Sequence, residues 1–375
     1  MSEVSNQEIK LPVGDRLIIS SSPHIKDSDS VRRIMFKVIL ALLPACAAGI
    51  YFFGFRSALV MLFTMAFCVG AEALWCYFAK KPVIGNISDG SAALTGLLLA
   101  LNLPPQVPYW VCLIGAFLAI WLGKQIFGGI GNNPFNPALV ARVGLLIALP
   151  AIMTTWQPAR GMSVDQENAK LWYSPKTIEE LKSGKALDAV SCATPLGVVG
   201  TTKKITDKSS AAEDNFAAVS SNEQMFEYFL GRKGGCIGET SVLALLIGGI
   251  MLVLFNLINW RVPVIYIGTV ALFAGLVNYF FPGVTPPPLF HILTGGLVLG
   301  AVFMATDMVT SPITGTGCVV FAFGCGVITT VIRIWGNYPE GVSFSILFMN
   351  ALVPLIDRYC TVRPFGYVTK RRIRQ

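Results

Sequence analysis

Hydrophobic and polar positions along this chain fall into long blocks. Ten apolar blocks, at 34–53, 58–78, 92–101, 109–127, 138–155, 241–257, 262–281, 289–306, 318–334 and 342–355, are separated by short polar joints and one long polar stretch, 156–239. A helix rises about 1.5 Å per residue, so about 20 apolar residues cross the hydrocarbon of a bilayer. The pattern predicts an all-α integral membrane protein with about ten transmembrane helices. Block 92–101 is too short to cross, and it stops at Asn102 and Pro104-Pro105. Short or Gly- and Pro-interrupted apolar segments are the signature of broken or re-entrant helices, which survive only inside protein or along a cavity.

The two halves echo one another. Leu94-Thr95-Gly96-Leu97-Leu98 returns as Leu293-Thr294-Gly295-Gly296-Leu297. The run from Lys124 through Gly-Asn-Asn to Pro134 returns from Arg333 through Gly-Asn-Tyr to Pro339, and Phe55-Arg56 matches Trp260-Arg261. With five spans per half, the second half starts on the opposite side, which makes the pair an inverted-topology repeat. The expected organisation is a polar N-terminal segment at 1–33, a first membrane repeat at 34–155, an external loop at 156–239, a second repeat at 240–357 and a basic tail at 358–375.

Composition agrees with this pattern. Charged residues are 13% of the chain and apolar residues 54%, with mean hydropathy +0.62; a soluble domain carries about 25% charged residues. A cytosolic enzyme, a disordered scaffold and a secreted disulfide framework are excluded. The formal charge of +8 does not indicate nucleic acid, because the basic residues cluster at the ends of apolar blocks, as topology determinants do. Lys10, Arg16, Lys26, Arg32 and Arg33 precede the first block, Lys80-Lys81 follow the second, and the tail is rich in arginine. Both termini are therefore expected in the cytoplasm, with 156–239 outside; Arg56 and Arg333 count against this. The polar start, lacking an apolar run before a small-residue cleavage site, is read as carrying no signal peptide. Nine scattered cysteines without a CxxC pair, and only two histidines, predict no metal site.

Candidate chemistry begins with charges inside apolar blocks: Glu72, Arg142 and Asp307. Such a charge costs about 2.5–3.5 kcal/mol or more at the bilayer centre and faces the bundle interior for a functional reason, or forms a structural pair, or snorkels from a helix end. Asn132 to Pro137 and Asp307 to Pro312 interrupt the backbone at corresponding places, where helix N-termini suit an anionic or polar ligand or simply start the next helix with Pro. Gly315-Thr-Gly317 and Gly324-Cys-Gly326 lack the third glycine of a dinucleotide fingerprint, and no Walker A or zincin pattern occurs. In the long loop, Asp188-Ala-Val-Ser191-Cys192-Ala193-Thr194-Pro195 is by its residues a turn that exposes a hydroxyl.

That segment resembles the D-x-x-S-x-A-T flavinylation motif, with Cys192 at a variable position. Asp89-Gly-Ser-Ala-Ala-Leu-Thr-Gly, the run from Gly123 to Ala138, Gly238-Glu-Thr-Ser241, Phe303-Met-Ala-Thr-Asp307 and Tyr338-Pro-Glu-Gly341 are similar to the same family. This is the NqrB/RnfD family. The resemblance is to its D-subunit branch, from the Rnf ion-translocating oxidoreductases; the sister branch is the B subunit of the sodium-pumping NADH:quinone oxidoreductase. It runs from about Ser22 to Pro364. It implies a urea-channel-like inverted repeat in a bacterial inner membrane, within a hetero-oligomer of other Rnf subunits that couples electron transfer between ferredoxin and NAD to Na⁺ or H⁺ movement. It implies FMN esterified to Thr194 by a separate flavin transferase, with Asp188, Ser191 and Ala193 as the attachment motif. A second, non-covalent flavin such as riboflavin is expected by analogy with the sister branch. Gly235, Gly238, Glu239 and Thr240 are candidates for a nest of N–H groups near the phosphate, or for a flexible loop entering a helix capped by Thr240. An ion path is expected along Thr95, Thr294, Asp307 and Glu72, the last taken as an unpaired carboxylate; the rival places the ions on a partner subunit. A passive channel or transporter for a small polar solute on the same repeat explains the broken helices and leaves the attachment motif unexplained.

Overall fold

The computed structural model describes residues 30–162, 192–205, 216, 219–336 and 340–361. Among them the chain is helical, with no strand beyond a single bridge between Trp156 and Cys192. Five helices are long and apolar enough to cross a membrane: α1 (Val31–Phe53), α2 (Phe55–Phe78), α9 (Arg261–Phe280), α12 (Gly315–Trp335) and α13 (Val342–Tyr359). Shorter apolar helices are α3 (Ser91–Leu101), α4 (Tyr109–Phe117), α5 (Pro137–Ala148) and α8 (Val242–Leu254). Between α5 and α8 lie α6 (Pro195–Ile205) and α7 (Asn222–Leu230).

Local chemistry sets many of the ends. Ser30 caps α1 by accepting from the Arg33 amide at 3.3 Å, and Gly54, at φ +80°, stops it. Asn136, Ser241 and Thr314 cap α5, α8 and α12 with their side-chain oxygens. The cap of α8 is thus Ser241; Thr240 instead turns its hydroxyl back to the Ile237 carbonyl at 3.1 Å.

Three blocks depart from single α-helices. Block 109–127 is α-helical only to Phe117 and continues as a π-helix, Leu118–Gln125, in which the Ile126 amide reaches the Trp121 carbonyl. Block 138–155 ends its helix at Ala148, because Pro150 cannot continue the hydrogen-bond ladder. Block 289–306, expected as one span, is broken. Its first part is α10 (Pro288–Leu293), its second is α11 (Leu297–Leu299) running into a π turn, Gly300–Met304, and Gly295 sits between them at φ +66°.

The core lies where the two membrane halves meet. Helix α8 packs on α1 and α13 on α5, around fully buried Leu42, Leu99, Leu101, Leu139, Phe290 and Phe321. Many large apolar side chains point outward, among them Leu62, Leu254, Leu272 and Phe323. A surface this apolar is at home only against lipid or other membrane helices.

Candidate functional site

Thr194 sits at the start of α6, at the bottom of a short bridge. The Cys192 amide donates to the Trp156 carbonyl at 3.0 Å, tying the segment before Thr194 to the start of the long polar stretch. Thr194 then acts as the helix cap: its Oγ1 accepts from the Gly197 amide at 3.0 Å, its carbonyl accepts from Val198 at 2.9 Å, and Pro195 opens the helix. Thr194 is buried and Ala193 half-buried; Asp188 and Ser191 lie outside the described residues.

Two close backbone approaches hold this corner. A Cβ on Gly234 would fall 2.6 Å from the Cys192 sulfur. A Cβ on Gly295, at the break between α10 and α11, would fall 2.6 Å from Leu196 Cδ1 and 2.8 Å from Arg333 Nη2. The N-terminus of α6, the 233–240 segment and the broken helix therefore converge. Gly235 and Gly296 both lie against the Glu239 carboxylate, and Gly238 packs on Leu101. The 237–239 segment is a buried 3-10 turn in which the Ile237 amide donates to the Leu103 carbonyl and the Glu239 amide to that of Cys236.

Buried charge gathers at the same place. Lys233 donates to the Leu293 carbonyl, and Arg333 donates to the carbonyls of His291 at 2.6 Å and Thr294 at 3.2 Å. These are the open carbonyls at the end of α10, where cations oppose the helix dipole. Arg142 is buried in a pair, one of the readings its sequence position allowed, with Nη2 2.5 Å from Glu340 and 3.9 Å from Glu239, and Nη1 2.9 Å from the Cys236 sulfur. Cys236 in turn donates to the Asn102 carbonyl at 3.2 Å. The Cys236, Glu239 and Glu340 ligand atoms lie within 4.8 Å of one another, and the guanidinium of Arg142 supplies the cation they share. Burial pushes the Glu239 carboxyl well above the usual carboxylate range, helped by neighbouring Glu340 and opposed by Arg142. Burial lowers the Lys233 ammonium below the usual lysine range, against the pull of Glu239.

A second polar group lies in the first half. Glu72 is paired, which corrects the expectation of a lone carboxylate: Lys124 Nζ stands 2.5 Å from its Oε1 and 2.6 Å from Ser91 Oγ, and Gln125 donates to the same Oε1 at 2.7 Å. Its Oε2 is buried without a partner. Lys124 and Ser91 line a cavity with Thr95, Asn133, Asn136 and Asp307. Asp307 accepts from Thr310 at 3.2 Å. Of the expected ion-path residues, Thr95 and Asp307 meet in this cavity, Glu72 reaches it through Lys124, and Thr294 belongs to the Thr194 corner.

Sequence reasoning missed Lys124, Lys233, Arg333, Cys236 and Glu340 as site residues. The signal for two of them was present, since Lys124 and Arg333 open the echoed segments of the two halves. Each reaches, from the end of its helix, the broken element of its own half.

A helical membrane core with breaks inside it, and with buried charges grouped at those breaks, defines a multi-pass membrane protein whose polar chemistry is carried at interrupted helices. The chain belongs to the NQR2, RnfD, RnfE family, whose model matches residues 18–366. It is 46% identical to the D subunit of an ion-translocating oxidoreductase complex of Stutzerimonas stutzeri, covering 90% of this chain and 92% of that protein. It is 42% identical to the D subunit of a proton-translocating ferredoxin:NAD(+) oxidoreductase complex of Clostridium ljungdahlii (93% and 96% covered). It is 41% identical to the D subunit of the Na(+)-translocating counterpart in Acetobacterium woodii (94% and 96% covered).

Proposed function

We propose that this protein is the membrane flavin-carrying subunit of an Rnf-type complex that couples electron transfer between ferredoxin and NAD to Na⁺ or H⁺ translocation. FMN is esterified to Thr194 by a flavin transferase, and the other Rnf subunits complete the path. The observation that carries the reading is the position of Thr194 at the capped N-terminus of an eleven-residue helix whose Leu196 meets, at Gly295, the broken helix to which buried Lys233 and Arg333 are bonded. The first-turn amides of this helix and the positive end of its dipole would hold a phosphodiester on Oγ1, an interaction worth about 0.3–1 kcal/mol at exposed sites and more when buried. The residues present fit the group. Bound flavin supplies one- and two-electron redox chemistry. The chain's own part is to hold the phosphate, set the charge around the ring and keep water out with Leu196, Phe290 and Tyr228.

The cavity lined by Ser91, Thr95, Asn133, Asn136 and Asp307 offers amides and hydroxyls against an apolar wall of Ile34, Leu94 and Phe303, which suits a non-covalent riboflavin. Ions pass the same region, past Glu72 and Lys124. The two halves are inverted repeats of five membrane segments. Thr64 and Thr269 support this by donating to the carbonyls four residues back, and Thr95 and Thr294 do the same at the echoed Leu-Thr-Gly. Both termini face the cytoplasm and the Thr194 corner faces outward. Arg333, which counted against this orientation, is a buried side chain bonded to carbonyls and so is no loop charge.

The test is flavin fluorescence in a denaturing gel, with a flavin transferase co-expressed. Wild type should give a fluorescent band and Thr194→Ala none. A dark wild-type band beside an active transferase would remove the flavin reading, and solute transport assays would follow.

A further inference from the structure

Three buried cations, Arg142, Lys233 and Arg333, face the buried carboxylate of Glu239 and the partly buried one of Glu340, among the described residues. A buried cluster that keeps a surplus positive charge is expensive unless an anion completes it. Arg142 is spoken for by Glu340, Glu239 and the Cys236 sulfur. Lys233 donates to the Leu293 carbonyl and Arg333 to those of His291 and Thr294, and Arg333 Nε is buried with no partner. The end of α10 accounts for the carbonyl bonds. It does not account for the surplus charge or for the orphaned Nε. The guanidinium of Arg333 lies against Gly295, whose Cβ position also meets Leu196 in the first turn of α6, two residues from Thr194, and Lys233 reaches the same break through the Leu293 carbonyl.

We propose that Lys233 and Arg333 form the anion-binding wall of the Thr194 site, taking the phosphodiester of the attached flavin and favouring its reduced, more negative form. The inference rests on the reading of Thr194 as the flavin attachment point and adds the residues that set the cofactor's electrostatics. Reduction adds one electron, delivered by the upstream carrier of the complex, and with it one negative charge on the ring. Fixed cations in a low-dielectric corner favour that charge and act with no reorganisation. Arg333 is suited to the task because its guanidinium is always charged and presents several donors in a plane, so two nitrogens can hold helix carbonyls while the third remains for the ligand.

The experiment uses the full chain, flavinylated by co-expression with a flavin transferase. It compares wild type with Lys233→Met, Arg333→Gln, Arg333→Lys and the control Arg232→Gln, whose half-exposed side chain pairs with Glu227. Gel fluorescence reports attachment, and spectroelectrochemical titration of the folded protein reports the flavin midpoint potential. All variants should keep the fluorescent band. Lys233→Met and Arg333→Gln should each disfavour the reduced form about tenfold, a fall of about 59 mV for a one-electron step. Arg333→Lys should recover most of that shift, and Arg232→Gln should show none. A purely structural role predicts that Arg333→Lys, which loses the two-carbonyl fork, behaves like Arg333→Gln. Unmoved potentials in both neutral variants, with fluorescence kept, would overturn the anion wall and leave the attachment reading standing. A wild type without fluorescence would remove both. If Arg333→Gln does not accumulate, the Lys233→Met potential decides the matter alone.

Discussion

Glu72 and Lys124 are 52 positions apart and almost fully buried, yet their side chains meet at 2.5 Å. A buried pair of this kind gains little net stability over apolar residues of similar volume, but removing one partner strands the other at a cost of about 3–5 kcal/mol. This separates a structural from a transport role. Glu72→Gln alone confounds the two, because it leaves the Lys124 ammonium without its carboxylate. The double variant Glu72→Gln with Lys124→Met removes both charges and should unfold close to wild type in a detergent melt, recovering most of the loss of either single variant. With the ion path running past this pair, the same double variant should still carry reducible flavin but lose coupled Na⁺ or H⁺ uptake into vesicles. Full coupled transport in that variant would make the pair structural only. Neither the pairing nor the Arg142–Glu340 contact, 198 residues apart, was legible in the sequence. Apolar blocks reveal that a charge is intramembrane, but which charge answers it depends on how helices distant in the chain are packed.

Elements were legible where one physical rule dominates. Helices α1, α2, α9, α12 and α13 are long uniform apolar runs, and their expected ends fall within a few residues of the observed ones. The early stop of α3 was also readable, because Asn102 and Pro104-Pro105 cannot extend it. The π segment Leu118–Gln125 was not, since its residues suit an α-helix equally well. Its register follows from packing: Trp121 Nε1 donates to the Ala71 carbonyl at 3.0 Å, Gly123 sits against Pro137, and Lys124 is drawn to Glu72. The break at Gly295 carried a signal, the small-residue run Thr-Gly-Gly, but the continuous apolar block around it outweighed that signal. Close helix contact leaves its own test. Helix α8 approaches α1 so nearly that a Cβ on Gly248 would collide with the Ala41 carbonyl and stand 2.9 Å from Phe303. A backbone carbonyl cannot rotate away, so Gly248→Ala should lower stability by about 1–3 kcal/mol. On α2, Gly70 has nothing within 4 Å of its Cβ position. Gly70→Ala should therefore be neutral or raise stability by up to about 1 kcal/mol through helix propensity. Thermal unfolding of the two variants in one detergent checks the pair, and equal effects would remove the contact argument.

At the scale of the whole molecule, relatives of nearly equal identity, 42% and 41%, are named for different ions, protons in one and Na⁺ in the other. Overall likeness therefore does not track the ion. The orientation of this chain is the framework on which the proposed division of labour depends: flavin at the Thr194 corner outside, cavity and basic tail inside. The positive-inside rule supports this through Arg32, Arg33, Lys80, Lys81 and the arginines beyond residue 357. The cysteines provide a built-in probe. Eight of the nine are buried, and Cys360, just past the end of α13, is the accessible one. In intact cells a membrane-impermeant maleimide should leave the wild-type chain unlabelled, and permeabilisation should open Cys360 to the reagent. Glu223→Cys, an exposed position on α7 beside the proposed flavin corner, should add labelling from outside without permeabilisation. Labelling of Cys360 in sealed cells, with Glu223→Cys protected, would invert the topology. It would place the Thr194 site on the cytoplasmic side, and the orientation of ion movement would have to be reassigned with it.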